Sequence, residues 1–221
     1  MSRVYFVKSV IFDMDGVITN TMPDHYLAWR EILQQAGIRA THLDIYSREG
    51  QPGLHSLKEI FRQYGKKFDK IFAKELLKNK EEIFKKIARA RFINGSRAFV
   101  KSLYRQKFRL ALVTGTSRRE VHRILPKNLY NLFEVIITGN DVKHGKPHPE
   151  PYLKALKGLN LKSSQSVVIE NAPFGIQSAR RAGIRCLALE TSLPSSYLKE
   201  ASFIFKSIKD MTNQINFVYA H

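Results

Sequence analysis

Apolar residues in this chain gather into short runs separated by longer amphipathic stretches. Runs of β-favouring residues occur at Val4 to Phe12, Leu110 to Thr114, Val135 to Thr138, Val167 to Ile169 and Cys186 to Leu189. Helical patterns lie between most of them, and this alternation predicts an α/β domain with a mainly parallel, doubly wound sheet. The exception is the interval from Thr19 to Ile93, which reads as helices without a strand. Its first helix places Tyr26, Trp29, Leu33 and Ala36 on one stripe, with Pro23 near the start and Gly37 at the end. A helical block inserted after the first strand is expected over the carboxyl end of the sheet, where open α/β folds bind ligands. The expected division is a core of residues 1–18 and 94–221 and a helical cap of residues 19–93.

Two later helix starts bear on chemistry. Ser117-Arg118-Arg119-Glu120 fits a capping box, so Gly115 and Thr116 would form a loop opening into a helix N-terminus, an end that attracts anions. Pro173 sits where a first-turn proline would, before Ile176, Ala179 and Ala182 on one face and Gly183 as the stop.

Composition bounds the function. With 221 residues, 43% of them hydrophobic, the chain can bury one substantial core and carry a smaller second module. No apolar run approaches the roughly 18 to 20 residues that cross a membrane, and the N-terminus lacks a secretory pattern, so a cytoplasmic setting is expected. The single cysteine, Cys186, reads as a buried strand residue among Leu187, Ala188 and Leu189. The formal net charge of +18 favours encounter with anions: nucleic acid, anionic lipid or small phosphorylated molecules. Basic residues are enriched from Lys58 to Arg91 but interrupted by acids and apolar positions, as on solvated faces of amphipathic helices.

The candidate chemistry lies at the strand ends. Asp13 and Asp15 close the first run one residue apart, and side chains at i and i+2 of an extended backbone share a face. One carboxylate could attack and the other pass a proton. Thr114-Gly115-Thr116, Gly145-Lys146-Pro147-His148-Pro149 and Glu170-Asn171 would reach the same rim. A carboxylate such as Glu170 at the end of a buried strand needs a partner or a metal.

This ordered set resembles the haloacid dehalogenase superfamily over nearly the whole chain. Phe12-Asp13-Met14-Asp15-Gly16-Val17-Ile18-Thr19, followed by His25 and Ala28-Trp29, is similar to β-phosphoglucomutase and its phosphatase relatives, which carry a small helical cap. The resemblance implies that Asp13 is the nucleophile and Asp15 the general acid and base. It implies a magnesium ion on Asp13, the Asp15 backbone carbonyl and Glu170, with Asn171 as a possible further ligand. Thr114 and Lys146, with the main-chain N–H groups near Met14, Asp15 and Gly115, would hold the phosphoryl oxygens, and Thr116 belongs to the same loop. His25 would assist the cap hinge and Asp15; a partly exposed helix histidine is the other reading.

Two departures from the resemblance matter. Asn171 stands where many relatives carry Asp, which predicts weaker magnesium binding with Glu170 carrying more of it. Gly53, in the loop Tyr46 to Gly53, falls where the mutase grips a distal phosphate with arginine, and Arg48 is the residue that could substitute. The expectation is therefore a magnesium-dependent phosphatase of a small phosphomonoester, with a hexose phosphate mutase as alternative. A noncatalytic basic nucleic-acid-binding protein is the reading from a different class. The cap loops that would set the substrate, and the oligomeric state, are not legible.

Overall fold

The computed structural model describes residues 3–220. Six strands form one parallel sheet in the order β4-β3-β2-β5-β6-β7, with β2 (Ser9–Phe12), β3 (Arg109–Val113), β4 (Val135–Ile137), β5 (Ser166–Glu170), β6 (Arg185–Leu189) and β7 (Phe203–Phe205). The chain builds outward from β2 through β3 to β4, then crosses back to β5 and continues outward to β7. The strand order therefore reverses beside β2, and its carboxyl end is the crevice where such sheets bind ligands.

Strand alternation divides the core into two layers. Val10, Phe12, Leu110, Leu112, Val167, Ile169, Leu187 and Leu189 pack on one face, with α5 (Ser96–Arg105) and α6 (Arg118–Ile124) contributing Val100, Leu103, Val121 and Ile124. Ile11, Ala111, Val113, Val168, Cys186 and Ala188 pack on the other, under α8 (Glu150–Gly158) and α9 (Pro173–Arg181). Both faces are covered, which is why the strands read as continuous apolar runs. Cys186 is buried among them, and Pro173 opens α9 as expected.

The run Val4 to Phe12, expected as one strand, is two. At Lys8 the backbone leaves one sheet and joins the other, its N–H donating to the Gln165 carbonyl (2.8 Å). β1 (Arg3–Val7) pairs instead with β8 (Ile215–Tyr219) in a separate two-stranded parallel sheet, burying Tyr5 and Val7 while Val4 and Phe6 stay exposed. The short α7 (Lys127–Tyr130) precedes β4, and α10 (Ile208–Gln214) leads into β8.

Residues between β2 and α5 form a helical block: α1 (Met22–Gln35), α2 (His42–Tyr46), α3 (Gly53–Gln63) and α4 (Lys70–Ile87). It has its own apolar centre of Trp29, Ile32, Leu33, Leu57, Ile60, Phe61 and Leu76. Ala28 and Phe84 instead join the core cluster and tie the block to the sheet. The starts of α2 and α4 are capped by side chains: Thr41 and Asp44 make a reciprocal box, and Asp69 accepts from the Phe72 N–H at 2.7 Å. Among the described residues, no helix is long and apolar enough to cross a membrane.

Candidate active site

Strand register assembles the site. Phe12 lies beside Leu112 of β3 and Ile169 of β5, so Asp13, Thr114 and Glu170 leave the sheet next to one another. The Asp13 N–H donates to the Ile169 carbonyl (3.0 Å) and the Thr114 N–H to that of Ile137 (2.9 Å), which fixes where each side chain emerges. The N–H groups of Met14, Asp15 and Gly115 donate to no protein acceptor among the described residues.

Lys146 is the hub of this floor. Only 3% exposed, its ammonium donates to Asp13 Oδ1 (2.6 Å), Glu170 Oε1 (2.7 Å) and the Val113 carbonyl (3.2 Å). Burial pulls its pKa down, but Asp13 and Glu170 more than reverse this and hold it above the usual lysine range. Burial pushes the Asp13 carboxyl up; Lys146 opposes the rise, while Glu170 and Asp15 add to it. Glu170 is fully engaged, with Oε1 also taking the Tyr152 hydroxyl (3.0 Å) and Oε2 the N–H groups of Asn171 (2.8 Å) and Ala172 (3.1 Å). Its carboxylate lies flat against Gly175, where a Cβ would come within 1.7 Å of Oε1.

Asp15 is held differently. Its carboxylate accepts from the hydroxyls of Thr21, Thr114 (3.1 Å) and Thr116 (2.9 Å) and lies 3.5 Å from His25 Nε2. Burial raises its pKa, but His25 and the hydroxyls outweigh burial and bring it below the usual carboxylate range. Thr114 is thus committed to Asp15 and to the Thr116 N–H (3.0 Å) in this state. His25 is a buried residue, not a surface one: its ring stacks on Phe84 with centroids 4.0 Å apart, and Nδ1 lies 3.1 Å from Lys80 Nζ. Burial lowers the Lys80 pKa, opposed by Glu49, Glu120 and Asp15.

Two oxygens on this floor are buried without a partner, Asp13 Oδ2 and Asn171 Oδ1. The Asn171 amide is oriented by its Nδ2 donating to Ser192 Oγ at 2.8 Å. Asp13, Asp15 and Glu170 share the floor with Lys146, which pairs with Asp13 and Glu170, so the donor set and the charge deficit fit a hard divalent cation. Glu170 spends its lone pairs on Lys146, Tyr152 and two backbone donors, while Asn171 keeps Oδ1 unused. A second acidic cluster that could hold a metal brings Asp15, His25 and Glu49 within 4.8 Å of one another. Its imidazole makes it the poorer match to a hard, oxygen-seeking ion.

The cap loop closes the site from above. Gly50 lies on the Lys146 side chain, and the loop roofs a cavity of about 300 Å³ whose lining includes His25, Glu49, Lys80, Thr116 and Glu120. Arg48 lines the cavity, yet its guanidinium is tied to Glu59 (3.3 Å), the Asp44 carbonyl (2.7 Å) and Gln63 (2.9 Å). Gly53 opens α3 against α4, and a Cβ there would come within 2.7 Å of Leu77. The capping box at Ser117 forms in part: Glu120 N–H donates to Ser117 Oγ (3.4 Å), while Ser117 Oγ donates to Glu120 Oε2 (2.9 Å).

Thr21, Glu49, Lys80, Tyr152, Gly175 and Ser192 are site residues that sequence reasoning missed, and Glu120 was seen only as a cap. None sits in a short motif. The nearest signal was the acids that interrupt a cap rich in lysine and arginine.

Over residues 10–189 the chain matches the family model described as haloacid dehalogenase-like hydrolase. It is 33% identical over 186 residues to a phosphorylated carbohydrates phosphatase of Thermotoga maritima, spanning 80% of this chain and 82% of that one. It is 28% identical over 206 residues to validoxylamine A 7'-phosphate phosphatase of Streptomyces hygroscopicus, spanning 92% and 95%. A solved structure from Bacteroides vulgatus, provisionally described as a β-phosphoglucomutase, superposes with a TM-score of 0.84 at 31% identity. That match covers 96% of this chain and 88% of that one.

Proposed function

Because the chain belongs to the haloacid dehalogenase-like hydrolases, in their β-phosphoglucomutase-like subgroup, we propose a magnesium-dependent phosphatase that hydrolyses a sugar phosphate or similar small phosphomonoester through an aspartyl phosphate. That it is a phosphoric monoester hydrolase follows from the family and its phosphatase relatives, which sets aside the noncatalytic nucleic-acid reading. One observation carries the mechanism: a buried carboxylate, Asp13, clamped at one oxygen by Lys146 and unpartnered at the other, beside a second carboxylate gripped by hydroxyls and His25.

Asp13 attacks phosphorus and the bond to the leaving oxygen breaks, with a proton passing from Asp15 to that oxygen. Water, giving its proton to Asp15, then attacks the aspartyl phosphate and releases phosphate and Asp13. A phosphate dianion beside Asp15 opposes its ionisation, moving the carboxyl toward the acid form the first step needs. In this reading the free N–H groups of Met14, Asp15 and Gly115 receive phosphoryl oxygens as charge shifts, and the Lys146 ammonium, its three donors held by Asp13, Glu170 and Val113, contributes its charge. Magnesium held by Asp13, the Asp15 carbonyl and Asn171, with Glu170 alongside, would draw carboxylate and phosphoryl group together.

Water rather than a sugar hydroxyl is the acceptor in this reading. Position 53 is a glycine packed beside Leu77, and Arg48 is spent on Asp44, Glu59 and Gln63, so neither anchors a second phosphate. The test is a panel of phosphomonoesters with and without magnesium, comparing the native chain with Asp13→Asn. Phosphate release that needs magnesium and falls at least about 10³-fold in the variant supports the reading. Conversion of β-glucose 1-phosphate to glucose 6-phosphate without net phosphate release supports the mutase, and undiminished turnover by Asp13→Asn removes the nucleophile.

A further inference from the structure

The phosphatase reading leaves the other half of the cavity without a role. Beyond the floor the cavity is lined by Glu49 and Glu120 together with Lys80 and the tied Arg48. Glu120 is 8% exposed and lines the cavity, and its Oε1 is buried with no partner. The cause is local: Ser117 takes only Oε2, so the second oxygen of the half-formed box stays unused. Glu49, on the cap loop, also lines the cavity and makes no side-chain hydrogen bond or ion pair with any described residue. One of its oxygens lies within 4.8 Å of both Asp15 and His25, which is beside the place a leaving oxygen must occupy. Lys80 is the cation they face, and it also meets His25 Nδ1 at 3.1 Å.

Two carboxylates with unused oxygens, sharing one cation, call for hydrogen-bond donors and repel a second anion. We propose that Glu49 and Glu120 are specificity residues that accept hydroxyl donors from an uncharged, polyhydroxylated leaving group. They confine the enzyme to substrates bearing a single phosphate and exclude bisphosphates. Glu120 belongs to the core and Glu49 to the cap, so the selection is made only when the two close on each other. This rests on the phosphatase reading for the place of the phosphate; the choice of leaving group is an independent claim.

Two measurements keep the claims separable. The first is the ratio of kcat/KM for fructose 1,6-bisphosphate to that for fructose 1-phosphate, in the native enzyme and in Glu49→Gln, Glu120→Gln and the double variant. The amides keep size and one acceptor oxygen but remove the charge. A native ratio well below one, rising about tenfold or more in the double variant, is the expected result. A native ratio near one, or a ratio unmoved by both amides, overturns the proposal while leaving the phosphatase intact. The second is calorimetric binding of the same two sugars to Asp13→Asn protein loaded with magnesium, which needs no turnover. Tighter binding of the monophosphate, with the gap closed by the two amides, supports the selection even if the covalent mechanism fails. Tighter binding of the bisphosphate to Asp13→Asn overturns it.

Discussion

The floor of the site and its roof obey opposite electrostatic rules. On the floor every charged side chain has a partner and all but two of the oxygens are used: Lys146 joins Asp13 and Glu170, Glu170 uses both oxygens, and Asp15 is held by threonines and His25. The exceptions, Asp13 Oδ2 and Asn171 Oδ1, are the atoms a cation and a phosphoryl group would meet. Above it Arg48 is neutralised by its own cap, while Glu49 of the cap and one oxygen of Glu120, at the edge of the core, are left open. In the proposed function the floor serves a chemistry common to all substrates and the acids above it serve recognition. A chain of net charge +18 thus lines this cavity with carboxylates among its cations, so the sign of the whole surface does not foretell what a cavity presents.

The largest expected effect breaks the floor. Lys146→Met removes the shared cation from two buried carboxylates, and breaking such a pair costs about 3–5 kcal/mol. Urea denaturation should show that loss together with the disappearance of phosphate release. A variant as stable as the native chain would mean that Asp13 and Glu170 find other compensation.

Next, Ile60→Ala opens a cavity in the apolar centre of the cap, at a cost of about 2–4 kcal/mol. If cap and core are separately packed, hydrogen exchange should speed in α1, α3 and α4 while β2, β3 and β5 keep their protection. Equal loosening of the sheet would show that the two regions fold as one unit.

The smallest effect concerns Asp44, which ties the cap together through Thr41, Gln63 (2.6 Å) and Tyr64 (2.7 Å). Burial raises its pKa, but the bonds from Thr41, Tyr64 and Gln63 outweigh burial and depress it. A depressed carboxyl stabilises the fold above its unfolded pKa of about 3.9, and the stabilisation fades as pH falls below that. Asp44→Asn should therefore cost about 1 kcal/mol at pH 7, with native and variant converging toward pH 3 in thermal melts. A gap that persists at pH 3 would assign the effect to shape rather than charge.

The parts of the fold and site legible beforehand share one property, that they are local. β2, β3, β5 and β6 are runs of apolar residues, α9 announces itself with Pro173 and Gly183, and the Asp13, Thr114, Lys146 and Glu170 motifs each span a few residues. The split at Lys8 and the pairing of β1 with β8 were not legible, because which edge a strand joins depends on a partner more than 200 residues away. For the same reason the bond from Thr114 to Asp15, spanning 99 residues, was not legible. Gly53 was visible as a missing arginine, but that Leu77 fills the space was not.

The sequence alone determined which residue types stand at the strand ends, and therefore the kind of chemistry available, since strand runs and catalytic motifs depend on near neighbours. Only the tertiary structure decided how those groups share their protons and charges. Glu170 is saturated by Lys146 and Tyr152, Asn171 keeps an open oxygen, and Glu49 from the cap meets Asp15 from the core. Hydrogen bonds and Coulomb energies fall off over a few ångströms, and the chain's order says little about which distant groups come that close.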